Sequence, residues 1–151
     1  MKLSGKVAIV TGGSRGIGKA VAILLAQNGA SVVITSKNKT SLENAAKEMK
    51  NAIAISGDIR SMTDVENVVK NTFETFGKVD ILVNNAGIFP KVKPLHEISE
   101  EEWNDVIDVN LTGQFRFTKA AIPYLMKTNG CIVNVSSDAG LKSFENFEAE
   151  A

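Results

Sequence analysis

The chain has 151 residues, enough for one domain with a substantial core, and its apolar and charged fractions are those of an ordinary globular protein. Its 17 Lys and Arg balance its 17 Asp and Glu, so no net field draws it to nucleic acid or anionic lipid. The single cysteine, Cys131, excludes an intramolecular disulfide, and the opening MKLSGKVAIVTGG has no apolar run of signal-peptide or membrane-span length, so a cytoplasmic location is expected.

Five short runs rich in Val and Ile, at 7–10, 31–35, 52–56, 81–84 and 131–135, alternate with segments of helical period. That alternation predicts repeated βα units and a parallel sheet, and the near-continuous hydrophobicity of the runs predicts helices on both faces. Directly after the first run, VAIVTGGSRGIGKA places glycines at the opening of a helix. Absent side chains there let backbone N–H groups approach a phosphate at the positive end of the helix dipole. Two spacings fit. From Gly13, GSRGIGKA matches G-x-x-x-x-G-K, the P-loop of nucleotide hydrolases, but Ala20 stands where a magnesium-holding Ser or Thr is required. From Thr11, TGGSRGIG is T-G-x-x-x-G-x-G, a variant of the dinucleotide fingerprint.

Further along, Thr40 with Glu43, Thr63 with Glu66 and Ser99 with Glu102 have the spacing of capping boxes at helix starts. Apolar stripes at Ile17, Val21, Leu24 and Leu25, and at Val65, Val69, Phe73 and Phe76, are expected core faces, closed by Gly29 and Gly77. The longest expected loop, 88–98, carries Pro90 and Pro94 and follows a strand, where a substrate-facing loop would sit. His96, within it, is expected at the surface.

Five motifs in order, TGGSRGIG at 11–18, GDI at 57–59, NNAG at 84–87, DVNLTG at 108–113 and IVNVSS at 132–137, resemble the short-chain dehydrogenase/reductase family, especially members similar to 3-oxoacyl-acyl-carrier-protein reductases. The resemblance runs to about Gly140. It implies an α/β fold with a Rossmann-like doubly wound parallel sheet, five strands in the order 3-2-1-4-5, and hydride transfer between a nicotinamide dinucleotide and a small alcohol or carbonyl. It also implies roles for individual residues. Gly12, Ser14, Arg15, Gly16, Ile17 and Gly18 would form the pyrophosphate loop, and Asp58 would be the adenine-binding acid with Ile59 beside the ring. Asn84, Ala86 and Gly87 would buttress the sheet and pass close to the cofactor.

Cofactor choice follows from charge. An NAD site carries a carboxylate at the end of the second strand, and that carboxylate repels a 2′-phosphate. Here VVITSKNK puts Ser36 at this place, followed by Lys37, and Arg15 lies inside the glycine loop. Two cations without that acid favour NADP(H) over NAD(H).

For catalysis the resemblance implies that Asn110 holds a proton-relay water and Ser137 bonds the substrate oxygen. The family's acid/base tyrosine and its lysine, in Y-x-x-x-K, have no match at about 147–151. The only tyrosine, Tyr124, has Lys127 three residues on, and it reads as part of a structural fourth helix. The chain is therefore expected to be a C-terminally truncated reductase, impaired or inactive as it stands, with a binding domain at 1–137 and a flexible tail at 138–151. The ADP end of the cofactor should be held better than the nicotinamide end. An open fifth strand and uncovered apolar helix faces predict a homo-oligomer. A non-catalytic NADP(H)-binding module and a P-loop hydrolase are the alternatives.

Overall fold

The computed structural model of the chain describes residues 1–89 and 93–138. Strand β1 (Val7–Thr11) is buried along its whole length, as a Val/Ile run between two helical layers must be. It pairs in parallel with β2 (Ser31–Thr35) and β4 (Ile81–Asn84), while β3 (Ala52–Ala54) and β5 (Cys131–Asn134) lie outermost. The order 3-2-1-4-5 is the doubly wound α/β arrangement that the family resemblance implies. β3 and β5 stop short of their apolar runs, yet the bonding continues. Ile55 N–H donates to the Ile34 carbonyl at 3.1 Å, and Val135 N–H to the Asn84 carbonyl at 2.8 Å.

Side-chain alternation along the strands divides the core. Ile9, Val33 and Leu82 pack with α3 (Met62–Phe76) and α5 (Gly113–Thr128) through Val65, Val69, Phe117 and Leu125. Val10, Ile34 and Val83 pack on the other face with α1 (Gly16–Gln27) and α2 (Lys39–Lys47) through Ala22, Ala26, Leu42 and Ala45. Helix α1 corrects the expected stripe: Ile17 and Leu24 are 65% and 58% exposed, and the buried residues are Gly18, Ala22 and Ala26. Small residues four apart bring the helix backbone close to the sheet and so lower the glycine loop onto the strand ends, leaving Val21 and Leu25 at the margin of the core.

Of the three expected capping boxes, one forms. Ser99 Oγ accepts from the Glu102 N–H and the Glu102 carboxylate accepts from the Ser99 N–H, opening α4 (Glu100–Ile107). Helix α2 starts earlier than Thr40, because Asn38, a stronger cap, accepts from Ser41 N–H at 2.9 Å. Helix α3 starts before Thr63, with Ser61 accepting from Asp64 N–H, and no box closes because the Asp64 carboxylate accepts from Asp58 N–H instead. The expected single fourth helix is α4 running into α5 through a π turn at Asp108–Thr112, where Arg116 closes on Asp108 at 2.7 Å. No helix among the described residues is long and apolar enough to cross a membrane. The expected tail beyond Asp138 lies outside the described residues.

At the N-terminal edge of the sheet, Asp80 is 3% exposed. It accepts from Val7 N–H at 2.9 Å and from Lys6 Nζ at 3.0 Å, and Lys78 Nζ lies 3.2 Å away. Burial opposes the charged form, but the Lys6 ammonium, the Val7 amide and the Lys78 ammonium outweigh it and hold Asp80 below the usual carboxylate range. A folded pKa depressed in this way stabilises the fold above the unfolded value of about 4, and that contribution is lost as pH falls below it. Asp80→Ala should cost about 2 kcal/mol in urea denaturation at neutral pH, chiefly by leaving the Val7 amide unpaired. The loss of stability below about pH 4 should be shallower in the variant than in the parent chain.

Candidate functional site

Parallel strands deliver their C-terminal ends to one edge, and the loops that leave them build a cleft there. β1 ends in Thr11, whose buried hydroxyl accepts from the backbone N–H groups of Asn85 and Ala86, each at 2.9 Å, just beyond β4. Asn85 returns the contact, its Nδ2 donating to the Thr11 carbonyl at 2.9 Å. The glycine loop is thereby fixed to the loop after β4.

That junction leaves no room for side chains. A Cβ on Gly18 would lie 2.3 Å from Asn85 Nδ2 and 2.5 Å from the Gly12 carbonyl oxygen. Gly16 needs glycine for another reason, a backbone φ of +55° in otherwise open space. Ser14 is half-buried, and Arg15 is exposed at the N-cap of α1 without a side-chain cap bond. Lys19, the lysine a P-loop would aim at phosphates, is instead ion-paired with Glu48 of the segment after α2 at 2.8 Å, which adds to the missing hydroxyl at Ala20 in counting against the hydrolase reading.

The first part of the cleft, about 340 Å³, is lined at the end of β2 by Thr35, Ser36 and Lys37 and at the end of β3 by Asp58, Ile59 and Arg60. The Thr35 and Ser36 hydroxyls are buried without a hydrogen-bond partner among the described residues. Buried polar groups are rarely left so, and a polar ligand in the cleft would satisfy them. Asp58 is bound through both carboxylate oxygens by Arg60, which also reaches Asp105 of α4 at 3.2 Å, and Lys37 approaches Asp58 to 3.3 Å. The Arg60 guanidinium, against the opposing effect of burial, together with the Arg60 amide and Lys37, holds Asp58 far below the usual carboxylate range. Lys37, one of the two cations counted toward a 2′-phosphate, is thus paired with an acid from the segment beyond the neighbouring strand β3. Lys39 approaches Glu43, 3.9 Å away.

The second part, about 760 Å³, is lined by Ile17, Trp103, Asn110, Gln114 and Ser137 among others, and it meets the first at Ala86, Gly87 and Ile88. Asn110 sits in the π turn with both ends of its amide committed to one residue: Oδ1 accepts from Ile88 N–H at 2.8 Å and Nδ2 donates to the Ile88 carbonyl at 3.0 Å. It clamps the loop after β4 to the helix. Asn84 is fully buried and lines neither part; its Nδ2 donates to Thr118 Oγ1 and Asn134 Oδ1, tying β4 to α5 and β5. Tyr124 also lies outside the cleft, packed on Phe73 with ring centroids 4.9 Å apart, and His96 is exposed beside Glu97. Residues 90–92 of the expected substrate-facing loop lie outside the described residues; its returning end is tied down by Lys93 bonding Glu102.

Three participants escape sequence reading. Asn85 looks like a turn residue, Thr35 like a strand end, and Arg60 acquires its meaning only from Asp105, which no local spacing connects to it. The two glycines should respond differently to one methyl group. Gly18→Ala should destabilise the chain by about 3 kcal/mol through overpacking, and Gly16→Ala by about 1 kcal/mol through backbone strain. Urea denaturation curves of the two variants would separate these, and equal losses would contradict the account of the junction.

The short chain dehydrogenase family matches residues 6–149 of the chain. A 3-oxoacyl-(acyl-carrier-protein) reductase of Thermotoga maritima is 40% identical over 146 residues, covering 93% of this chain and 59% of its own. The reductase of the same name from Vibrio cholerae is 43% identical over 142 residues, 93% of this chain and 58% of its own. L-fucose dehydrogenase of Mus musculus is 37% identical over 139 residues, 92% of this chain and 51% of its own. The chain spans about half to three fifths of the length of these relatives. The match takes in the glycine loop, the sheet and the strand-end cleft together, and the chain belongs to the short-chain dehydrogenase family.

Proposed function

We propose that the chain is the dinucleotide-binding part of an oxidoreductase that moves a hydride between NADP(H) and a small carbonyl or alcohol. Family membership supports the nicotinamide dinucleotide, and the observation that carries the site is the pair of partnerless hydroxyls, Thr35 and Ser36, beside Asp58 in a cleft that reaches Thr11, the residue from which the glycine loop departs. On this reading, backbone N–H groups of the glycine loop at Gly12, Gly16, Ile17 and Gly18, with Ser14 and Arg15, hold the phosphates, while the Gly13 N–H stays on the Thr35 carbonyl. Asp58 and Ile59 take the adenine, and Ala86 and Gly87 let the cofactor pass from the first part of the cleft to the second. Asn110 and Ser137 serve the reacting end. The bound cofactor supplies the hydride, while the chain binds and orients it. Ser36 in place of an acid, with Arg15 in the loop, favours the 2′-phosphate. The names of the two bacterial relatives make a 3-oxoacyl thioester one candidate carbonyl substrate.

Proton supply is the weak step. The only tyrosine in the sequence, Tyr124, is packed against Phe73 and lies outside the cleft, so no phenol of this chain is placed to protonate a carbonyl there. A positioned general acid contributes about 10²–10⁴ in rate, and this chain should turn over slower than a tyrosine-bearing family member by a factor in that range. The same observation favours a second reading, a module that binds NADP(H) without turning it over.

Self-association belongs to the proposal. Trp103, Leu111, Phe115, Ile122 and Met126 leave exposed apolar surface along α4 and α5, and zero net charge offers no repulsion between copies. Sedimentation should therefore give a dimer or larger species, and a monomeric mass at high concentration would contradict it. For the cofactor, titration followed by NADPH fluorescence should give tighter binding than NADH. Arg15→Ala should weaken NADPH about tenfold, the worth of one charge-assisted bond, with NADH changed less than about twofold. Equal losses would sink the phosphate assignment. Oxidation of bound NADPH across a carbonyl panel separates the enzyme from the module.

A further inference from the structure

Asp58 carries more donors than an adenine site should need. Its Oδ1 accepts from the Arg60 N–H at 3.0 Å and from Arg60 Nε at 3.2 Å; its Oδ2 accepts from the second Arg60 guanidinium arm at 3.0 Å and faces Lys37 Nζ at 3.3 Å. A carboxylate has about four lone-pair sites, so a ligand amine can bond here only after one donor leaves. Arg60 is the harder to displace. Three of the four contacts are its own, its planar fork is rigid, and its other arm is held by Asp105. Lys37 makes one contact, the longest, and its side chain is 70% exposed against 26% for Asp58. An ion pair so exposed is held weakly.

Building on the dinucleotide reading above, we propose that Lys37 is an exchangeable blocker of Asp58: a 2′-phosphate draws the ammonium off the carboxylate and so frees the lone pair that receives the adenine amine. Lys37, Asp58 and the partnerless Ser36 hydroxyl line the same part of the cleft, so one short side-chain swing connects the two states. Phosphate and adenine recognition are thereby coupled. A ligand with both groups gives Lys37 a new partner as it takes the old one. A ligand without the phosphate must displace Lys37 into water for its adenine bond. Lys37 then selects for NADP(H) by hindering NAD(H) as well as by attracting phosphate, a negative element that simple charge attraction lacks.

The test is calorimetric titration of the chain, Lys37→Ala and Lys37→Met with three probes: 2′,5′-ADP, 5′-ADP, and 5′-IDP, whose hypoxanthine lacks the amine. Both variants should bind 2′,5′-ADP about tenfold more weakly. Both should bind 5′-ADP about two- to fivefold more tightly, with no such gain for 5′-IDP. If 5′-ADP affinity is unchanged or reduced in both variants, or if 5′-ADP and 5′-IDP change equally, Lys37 does not block Asp58. If the parent chain binds neither 2′,5′-ADP nor 5′-ADP, the dinucleotide reading of the cleft falls first and takes the blocker with it.

Discussion

The strand-end cleft depends on the buried hydroxyl of Thr11. The ladder between β1 and β4 covers Ala8, Ile9 and Val10 opposite Ile81, Leu82 and Val83, and Thr11 stands one step beyond it. There its side chain takes over from the backbone, donating to the Val83 carbonyl and accepting from two successive N–H groups at Asn85 and Ala86. Without that oxygen, two amides at the end of the sheet would need water or another partner. With it, the glycine loop and the loop after β4 become one rigid corner. The demand for glycine at position 18 follows, because Asn85 fills the space a methyl would need. The meeting of the two halves of the cleft at Ala86–Ile88 follows as well.

The two acids at opposite edges of the sheet show how position divides structural from ligand-directed charge. Asp80, at the N-terminal edge, is nearly sealed from water and spends its oxygens on Val7, Lys6 and Lys78. Asp58, at the C-terminal edge, is also depressed in pKa and also bonded through both oxygens, yet it stays partly exposed and lines a cleft. Arg60 fixes the latter carboxylate from one side and joins it to α4 through Asp105. Since α4 runs on into the π turn that carries Asn110, the same helical run contributes to both parts of the cleft.

The sheet was legible in the sequence because buried parallel strands leave an unambiguous trace, Val/Ile runs with no polar face, and the motifs supplied their order. Helix faces were harder. The apolar stripe of Ile17 and Leu24 suggested a core that Gly18, Ala22 and Ala26 in fact make, because closeness to the sheet, rather than residue size, decides which side of α1 is buried. Two of three capping spacings failed for a related reason: a better cap stood two residues upstream in each case, at Asn38 and Ser61. Ser36 could be located because the strand end fixes it, whereas the pairing of Lys37 with Asp58 required knowing that β2 and β3 lie side by side. The link from Arg60 to Asp105 crosses 45 positions and leaves no local pattern.

Amide hydrogen exchange with and without NADPH tests the central claim most directly, that the strand-end cleft and the glycine loop beside it form the dinucleotide site. Slower exchange on adding NADPH is predicted in the segments 12–18, 36–37, 58–60 and 86–88, with α2 and the N-terminal edge around Asp80 unchanged. Protection confined to other segments, or none at saturating NADPH, would contradict it.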